Sequence, residues 1–398
     1  MQRDDYVIRL STHPRDVDAK SWDALLRLQE QPTPFMRHAY LAALHESGSA
    51  CPETGWIPHF LTLHAGPALV AACVVYLKTH SHGEYVFDWA WASAYQQHGV
   101  AYYPKAVVAV PFTPVPGTRL LARDTDARIA LLRELLAWSE RMGVSSIHLL
   151  FSTDEDTFAS KQLGMMQRNT VQFHWTNTQP ALTSFETFLG TLTQEKRKKI
   201  RQERRKVADA GVSFQYAKGT EITPAQWEFF YRCYEKTYWE HGNPPYLSRD
   251  FFARMASTMP EHWLLFIAYR EQQPIASSLI AIDEVSTGDT MDFNPPMKKI
   301  AYGRYWGALE RVDCLHFEAC FYQPLQWCIE NAYDRFEGGA QGEHKMARAL
   351  LPVKTNSAHW IAHPAFADAV ARFLEREGQG IGNYLQDLQE RIPFKQTL

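Results

Sequence analysis

Apolar and polar positions change their period along the 398 residues, and those changes predict the elements. In the first half, runs rich in Val, Ile, Phe and Tyr at Pro58–His64, Ala68–Tyr76, Glu84–Asp88 and Ser146–Phe151 read as strands, with Gly or Pro nearby. Between them, Ala127–Arg141 carries Ile129, Leu132, Leu135 and Leu136 on one helical face and ends at Gly143. Around Thr176–Ser184 the chain turns polar, which places a boundary between domains 1–180 and 181–398. The theme then repeats. A helix over Thr191–Ala210 stops at Gly211, where a left-handed residue is cheap for glycine. The strand Val212–Tyr216 follows, then a helix over Ala225–Trp239 opened by Thr223 as cap and Pro224 in the first turn. The stretches His262–Tyr269, Ile275–Ile282, Asp289–Phe293, Leu315–Ala319 and Arg335–Gly338 read as strands, and Pro324–Ala332 as a helix. Strands followed by helix and strand, twice over, predict an α/β chain with mixed sheets in two domains.

Composition narrows the class. Hydrophobic residues at 45% against 21% charged suit a globular protein with a sizeable core. A net charge of −3 argues against a protein coated in positive charge for nucleic acid. Cys51, Cys73, Cys233, Cys314, Cys320 and Cys328 show no CxxC pair and no metal-like spacing, so buried thiols in a reducing compartment are expected and a metal is not. MQRDDYVIRL lacks the apolar segment of a signal peptide, and the longest apolar run, Ala68–Leu77, is about half of what a span requires. These features predict a cytoplasmic protein with no membrane span.

Three segments carry candidate chemistry. The first is Tyr302–Trp360, with GRYWG (303–307), LHFE (315–318), CFYQ (320–323) and FEGGAQGEHK (336–345). If Leu315–Ala319 and Arg335–Gly338 are parallel strands that splay apart, unpaired backbone N–H groups between them can hold a carbonyl oxygen as negative charge develops. Gly338, Gly339 and Gly342 permit close backbone approach to a ligand, or form a tight loop with none. Glu318, Glu343, His344 and Lys345 are the candidate catalytic groups: Glu343 or His344 takes the proton of an attacking amine, and Glu318 positions the amine or holds Arg304 or Lys345. Arg304, Tyr302, Trp306, Gly338, Gly339, Gln341 and Gly342 are candidates for donor binding, Arg304 or Lys345 through phosphate. No G-x-S-x-G elbow suggests a covalent intermediate, so direct attack is expected.

The second segment is Glu195–Lys206, with eight basic residues against two acidic ones and only Ile200 and Val207 as an apolar stripe. It is either a solvated helix or a face for polyanionic phosphate, for which Lys198, Arg201 and Arg205 are the donor-binding candidates. The third is Tyr85–Pro114. There Asp88, Trp89, Trp91, Tyr103 and Lys105 combine aromatic platforms with a carboxylate and a cation, as an acceptor groove or as an edge strand and loop packed by aromatics. His148 and His174 read as core or strand residues, and Asp154, Glu155 and Asp156 as a solvated loop.

On GRYWG, LHFEACFYQ, FEGGAQGEHK and HW, with VFDWAWA, YYPK and VPFTP upstream, the chain resembles the FemAB-like group of N-acyltransferases over nearly its whole length. The resemblance implies tandem GNAT-like acyltransferase domains, and KRKKIRQERRKVADAGV is similar to the basic helix that opens the second domain of the Fem transferases. It implies transfer of an aminoacyl or acyl group to an amine, such as a cell-wall precursor or peptide, with the acyl donor and catalytic cleft in the second domain and an acceptor groove in the first. No permanently bound cofactor is implied. The cosubstrate is an activated donor: aminoacyl-tRNA, acyl-CoA or acyl carrier protein. No clear Q/R-x-x-G-x-G/A loop and no long coiled-coil arm is present, so the donor stays open among these. A protein that recognises peptide or muropeptide without turnover is the reading from a different class. The substrate and oligomeric state are not legible.

Overall fold

The computed structural model describes residues 6–286, 297–340 and 342–395. Thirteen strands occur among them: β1 Val7–Ser11, β2 Trp56–Ala65, β3 Ala68–Lys78, β4 Lys105–Val108, β5 Leu121–Ala122, β6 Ser146–Ser152, β7 Met166–Thr176, β8 Val212–Lys218, β9 Trp263–Arg270, β10 Gln273–Ser286, β11 Met297–Ala308, β12 Arg335–Ala340 and β13 Leu351–Ile361. The chain forms two compact units, each made of two segments. One comprises Met1–Thr170 with Lys354–Tyr384, the other Val171–Val353 with Leu385–Leu398, in place of the contiguous halves 1–180 and 181–398.

The two units repeat one strand plan. In the first, β1, β2, β3 and β4 run antiparallel, β4 pairs parallel with β6, and β6 pairs antiparallel with β13. In the second, β8, β9, β10 and β11 run antiparallel, β11 pairs parallel with β12, and β12 pairs antiparallel with β7. The last strand of each unit is thus drawn from the other half of the sequence. The parallel pairs need crossover connections, supplied by helix Thr125–Met142 in the first unit and the helical stretch Leu315–Glu330 in the second.

Local chemistry sets the ends of these elements. Helix Thr125–Met142 starts on Asp124, whose carboxylate accepts the Ala127 N–H, and buries Leu131, Leu132, Leu135 and Trp138 against β2, β3 and β6. Helix Pro224–Glu240 opens with Thr223 and Gln226 exchanging cap hydrogen bonds, with Pro224 in its first turn. Its Phe230 and Tyr234 pack with Phe252 and Tyr305 at ring separations of 4.9–6.2 Å.

Three expected elements differ. Leu315–Ala319 is not a strand: Leu315–Phe317 is α-helical, Glu318–Tyr322 a π-helical turn and Gln323–Glu330 helical again. Leu315, Glu318, Tyr322, Leu325 and Ile329 are buried at helical spacing, so the apolar run has a period near 3.6, not 2. Glu84–Asp88 does alternate, with Glu84, Val86 and Asp88 buried, but it joins no ladder, and Tyr85 has φ 61°. Asp154–Gln162 is a helix rather than a solvated loop; Asp156 is fully buried and accepts the Arg119 N–H. The expected strand Asp289–Phe293 lies outside the described residues.

Candidate active site

The strands β11 and β12 of the second unit are in register at three pairs, Ile300 with Arg335, Ala301 with Phe336 and Tyr302 with Glu337, and part beyond the last. The parting opens a cavity of about 280 Å³, lined on one side by Gly303–Trp306 and on the other by Phe336 and Gly338. Its remaining walls are Ser278 of β10, His316, Cys320 and Phe321 of the helical crossover, and His344 and Lys345. A splayed slot therefore exists at the sequence-expected place along β12. Its second wall is β11, where the sequence had suggested Leu315–Ala319. Opposite β10 the register slips so that Arg304 is extra, between Tyr305 on Leu279 and Gly303 on Ile280. Such a bulge re-aims backbone and side chains at a site rim.

Of the candidate donor residues, Arg304, Trp306 and Gly338 line this slot; Trp306 stands edge-on to His316 at 5.5 Å. Tyr302 lies fully buried just below the parting. Gly339 and Gly342 follow in the turn with φ of 75° and 95°, and Gln341 lies outside the described residues. Lys345 lies with its ammonium inward, donating to the carbonyls of Gly338 at 2.7 Å and Gly339 at 3.3 Å, and burial pulls its pKa down to about 8. His344 lies at the rim; partial burial first, then the nearby cations Arg348 and Lys345, lower its pKa and keep it neutral at pH 7.

The other two catalytic candidates face elsewhere. Glu318 sits on the π-helical turn, not at a strand end. Its carboxylate takes the Arg204 guanidinium through Nε at 3.1 and 3.2 Å and the Gln323 amide at 2.7 Å, so its cation is neither Arg304 nor Lys345. Glu343 is exposed, with Arg391 at 3.6 Å. Between these groups, Arg348 ties the turn to the basic helix Gln194–Asp209: it donates to the His344 carbonyl at 2.6 Å, reaches Glu203 at 2.7 Å and lies 3.6 Å over the Phe317 ring. Tyr322 donates to the same Glu203 carboxylate. The basic helix buries Ile200, Glu203 and Val207; Lys198, Arg201 and Arg205 point outward, Arg201 onto exposed Glu186 and Arg205 at the wall of a second cavity of about 350 Å³ shared with Arg204, Glu318 and Gln323.

In the first unit, the acceptor candidates resolve into a buried ion cluster and a surface. Lys105, with no exposed surface, donates to Glu84 at 2.7 Å, to Ser81 at 2.8 Å and to Asp88. Burial pushes Glu84 up to about 7, while Asp88 lies low, at about 2, because Lys105, His148 and the Tyr102 hydroxyl overcome its burial. Trp91 is buried against His148 and His359, Tyr103 holds Ser81 at 2.8 Å, and Trp89 is 43% exposed.

Sequence reading missed Glu203, Arg348, Glu337 and Glu84. The first two are partners 145 residues apart, beyond any local pattern. Glu337 and Glu84 lie in strand-like runs, and an acid inside such a run is itself a signal of burial; both are buried.

This plan of meander, helical crossover and parallel strand pair, repeated in the two units and with the pair parting over a cavity in the second, defines a tandem GNAT-like fold. Residues 13–396 match the family described as FemAB-like, peptidoglycan biosynthesis/recognition, and the chain belongs to it. Among solved structures it is similar to FemX, at 9% identity and a TM-score of 0.52, with 89% of this chain and 98% of that one covered. It is likewise similar to L-PGS from Bacillus licheniformis, at 12% identity and a TM-score of 0.50, over 90% and 97% of the two chains. No curated protein matches the sequence.

Proposed function

We propose that this protein is an N-acyltransferase that moves an aminoacyl or acyl group from an activated donor to an amine, with the donor held between β11 and β12. The observation that carries this reading is the parting of the two strands after three pairs, with a cavity walled by both. A thioester or ester carbonyl in that gap meets backbone freed from its ladder, where hydrogen-bond donors can take up the charge of a tetrahedral intermediate. Lys345 fixes the Gly338–Gly339 carbonyls that form one lip, and His344 at the rim is placed to hydrogen-bond the leaving group. The outward cations of helix Gln194–Asp209 supply a face for the phosphates that aminoacyl-tRNA, coenzyme A and acyl carrier protein all carry. The family description, peptidoglycan biosynthesis/recognition, supports a peptide or cell-wall precursor as acceptor. Among the described residues no helix is long and apolar enough to cross a membrane.

The test presents the purified protein with radiolabelled aminoacyl-tRNA, acyl-CoA and acyl carrier protein, each with an amine-bearing muropeptide, and counts label on the amine. Transfer from one donor supports the reading, and the steepest loss of binding with salt is expected if that donor is the tRNA. Muropeptide binding without transfer from any donor sinks the transferase reading in favour of recognition alone.

A further inference from the structure

An amine that attacks an acyl carbon must shed a proton, and the group that takes it belongs within reach of the point where the strands part. Glu337 stands there, because Tyr302 with Glu337 is the last pair in register. Side chains alternate along a strand, so Phe336 and Gly338 face the cavity while Glu337 faces the other side of the sheet. Its register neighbours on that side are Tyr302 of β11 and His174 of β7. Glu337 is 3% exposed. One carboxylate oxygen holds Arg335 at 2.7 Å; the other has no hydrogen-bond partner among the described residues, with His174 Nε2 3.9 Å away. A buried carboxylate oxygen left unpaired is costly, and a site that only needed filling would hold a hydrocarbon.

We propose that Glu337 is the proton acceptor for the attacking amine, which reaches the parting from the Glu337 side of the sheet while the acyl donor fills the cavity on the other. The proposal rests on the acyltransferase reading. In the step, the amine nitrogen bonds the acyl carbon, and the donor's C–O or C–S bond breaks with its electron pair leaving on oxygen or sulfur. One N–H proton passes to the Glu337 carboxylate and from there, by way of solvent, to the leaving group, so the products are amide and protonated carrier.

The electrostatics agree. Burial pushes Glu337 up to about 7, against the pull of Arg335 on its own strand and Lys298 on β11. The other titratable groups around it are Tyr302, raised by burial and by the charges of Glu337 and Asp283, and His174, lowered to about 3 by burial and by Arg335 and Lys345. His174 is neutral and too weak a base to compete, and Glu337 titrates where a proton acceptor works best.

The test uses the full chain and whichever of aminoacyl-tRNA, acyl-CoA or acyl carrier protein gives transfer to the muropeptide amine. Glu337→Gln should lower kcat by about 10²–10⁴-fold, the usual contribution of a general base, with donor KM within about twofold. The rise of kcat with pH near 7 should vanish with it, and Glu337→Asp should restore part of the rate. A Glu337→Gln protein that keeps kcat within about threefold of wild type, or keeps that acid limb, overturns the role of Glu337 and leaves the transferase reading standing. If Glu337→Gln does not fold, Glu337→Asp decides: a displaced acid limb supports the role and an unmoved one overturns it. Absence of transfer by the wild-type protein from all three donors removes both readings together.

Discussion

Replacing Lys105 by Met tests whether the buried cluster of the first unit is held by charge. Methionine matches lysine in length, so the substitution deletes the ammonium while filling its volume. It leaves Glu84 and Asp88, at 1% and 3% side-chain exposure, without their shared cation. Removing one partner of a buried pair costs about 3–5 kcal/mol, because the surviving charge is stranded. With a urea slope of about 2 kcal/mol/M for a unit of this size, the midpoint should fall by roughly 2 M. The loss should also depend on pH. Without Lys105 both carboxyls have folded pKa values above their unfolded ones, so the folded state binds protons more tightly, and stability is retained at low pH and lost as pH rises past the ordinary carboxylate range. In the wild type only Glu84, raised to about 7, behaves this way; Asp88, at about 2, contributes stability that is lost only as pH falls through that value. Urea melts followed by circular dichroism at pH 5.5 and pH 8 should therefore show a larger gap between Lys105→Met and wild type at pH 8. The triple variant Glu84→Gln, Asp88→Asn, Lys105→Met, which removes the three mutually bonded charges and leaves the neighbouring Lys78, should recover most of the loss. A Lys105→Met protein with the wild-type midpoint at pH 8, or a triple variant less stable than the single one, would refute the reasoning.

Two further outcomes are expected. A Cβ on Gly307 would stand 2.0 Å from the Cys233 carbonyl oxygen, so Gly307→Ala must push helix Pro224–Glu240 off β11. Overpacking of about 1–3 kcal/mol should lower Tm by several degrees, on the order of 5–10 °C, in a thermal melt. Gly303→Ala, whose nearest contact would be the Phe336 ring at 3.3 Å, should lose less, and equal losses would show that close packing is not the cause. Lys345→Met removes the charged donor from the Gly338 and Gly339 carbonyls, worth about 1.5–3 kcal/mol, so transfer should slow roughly ten- to a hundredfold with the fold intact. Because Lys345 titrates at about 8, wild-type transfer should also decline as pH rises through that value, and a flat alkaline profile counts against the anchor.

What was legible in the sequence were features with local causes. The caps at Thr223 and Gly211, the helix that buries Leu132 and Leu135, and the meander strands all follow from spacing and from residues with restricted backbones. The place of the slot along β12 was legible through the FEGGAQGEHK run, but its opposite wall was not. LHFEACFYQ alternates well enough to resemble a strand, and only tertiary burial at Leu315, Glu318, Tyr322 and Leu325 reveals its helical period. Glu318 and Glu343 were singled out by their company in a motif, yet side-chain direction decides what a residue meets: one turns to Arg204 and the other to Arg391. The segment around Lys105 reads either as an acceptor groove or as an edge strand and loop packed by aromatics, because a carboxylate and a cation among aromatics fit both; only the fold shows Lys105 and Asp88 to be buried.

The borrowing of β7 and β13 has a cost at the ribosome. The first unit cannot close its sheet beside β6 until residues 354–361 have been made, some two hundred positions after the rest of its core, so the nascent N-terminal half must wait with an open strand edge. For the same reason, splitting the coding sequence near residue 180 should yield two fragments that each lack a rim strand and recover structure only when coexpressed.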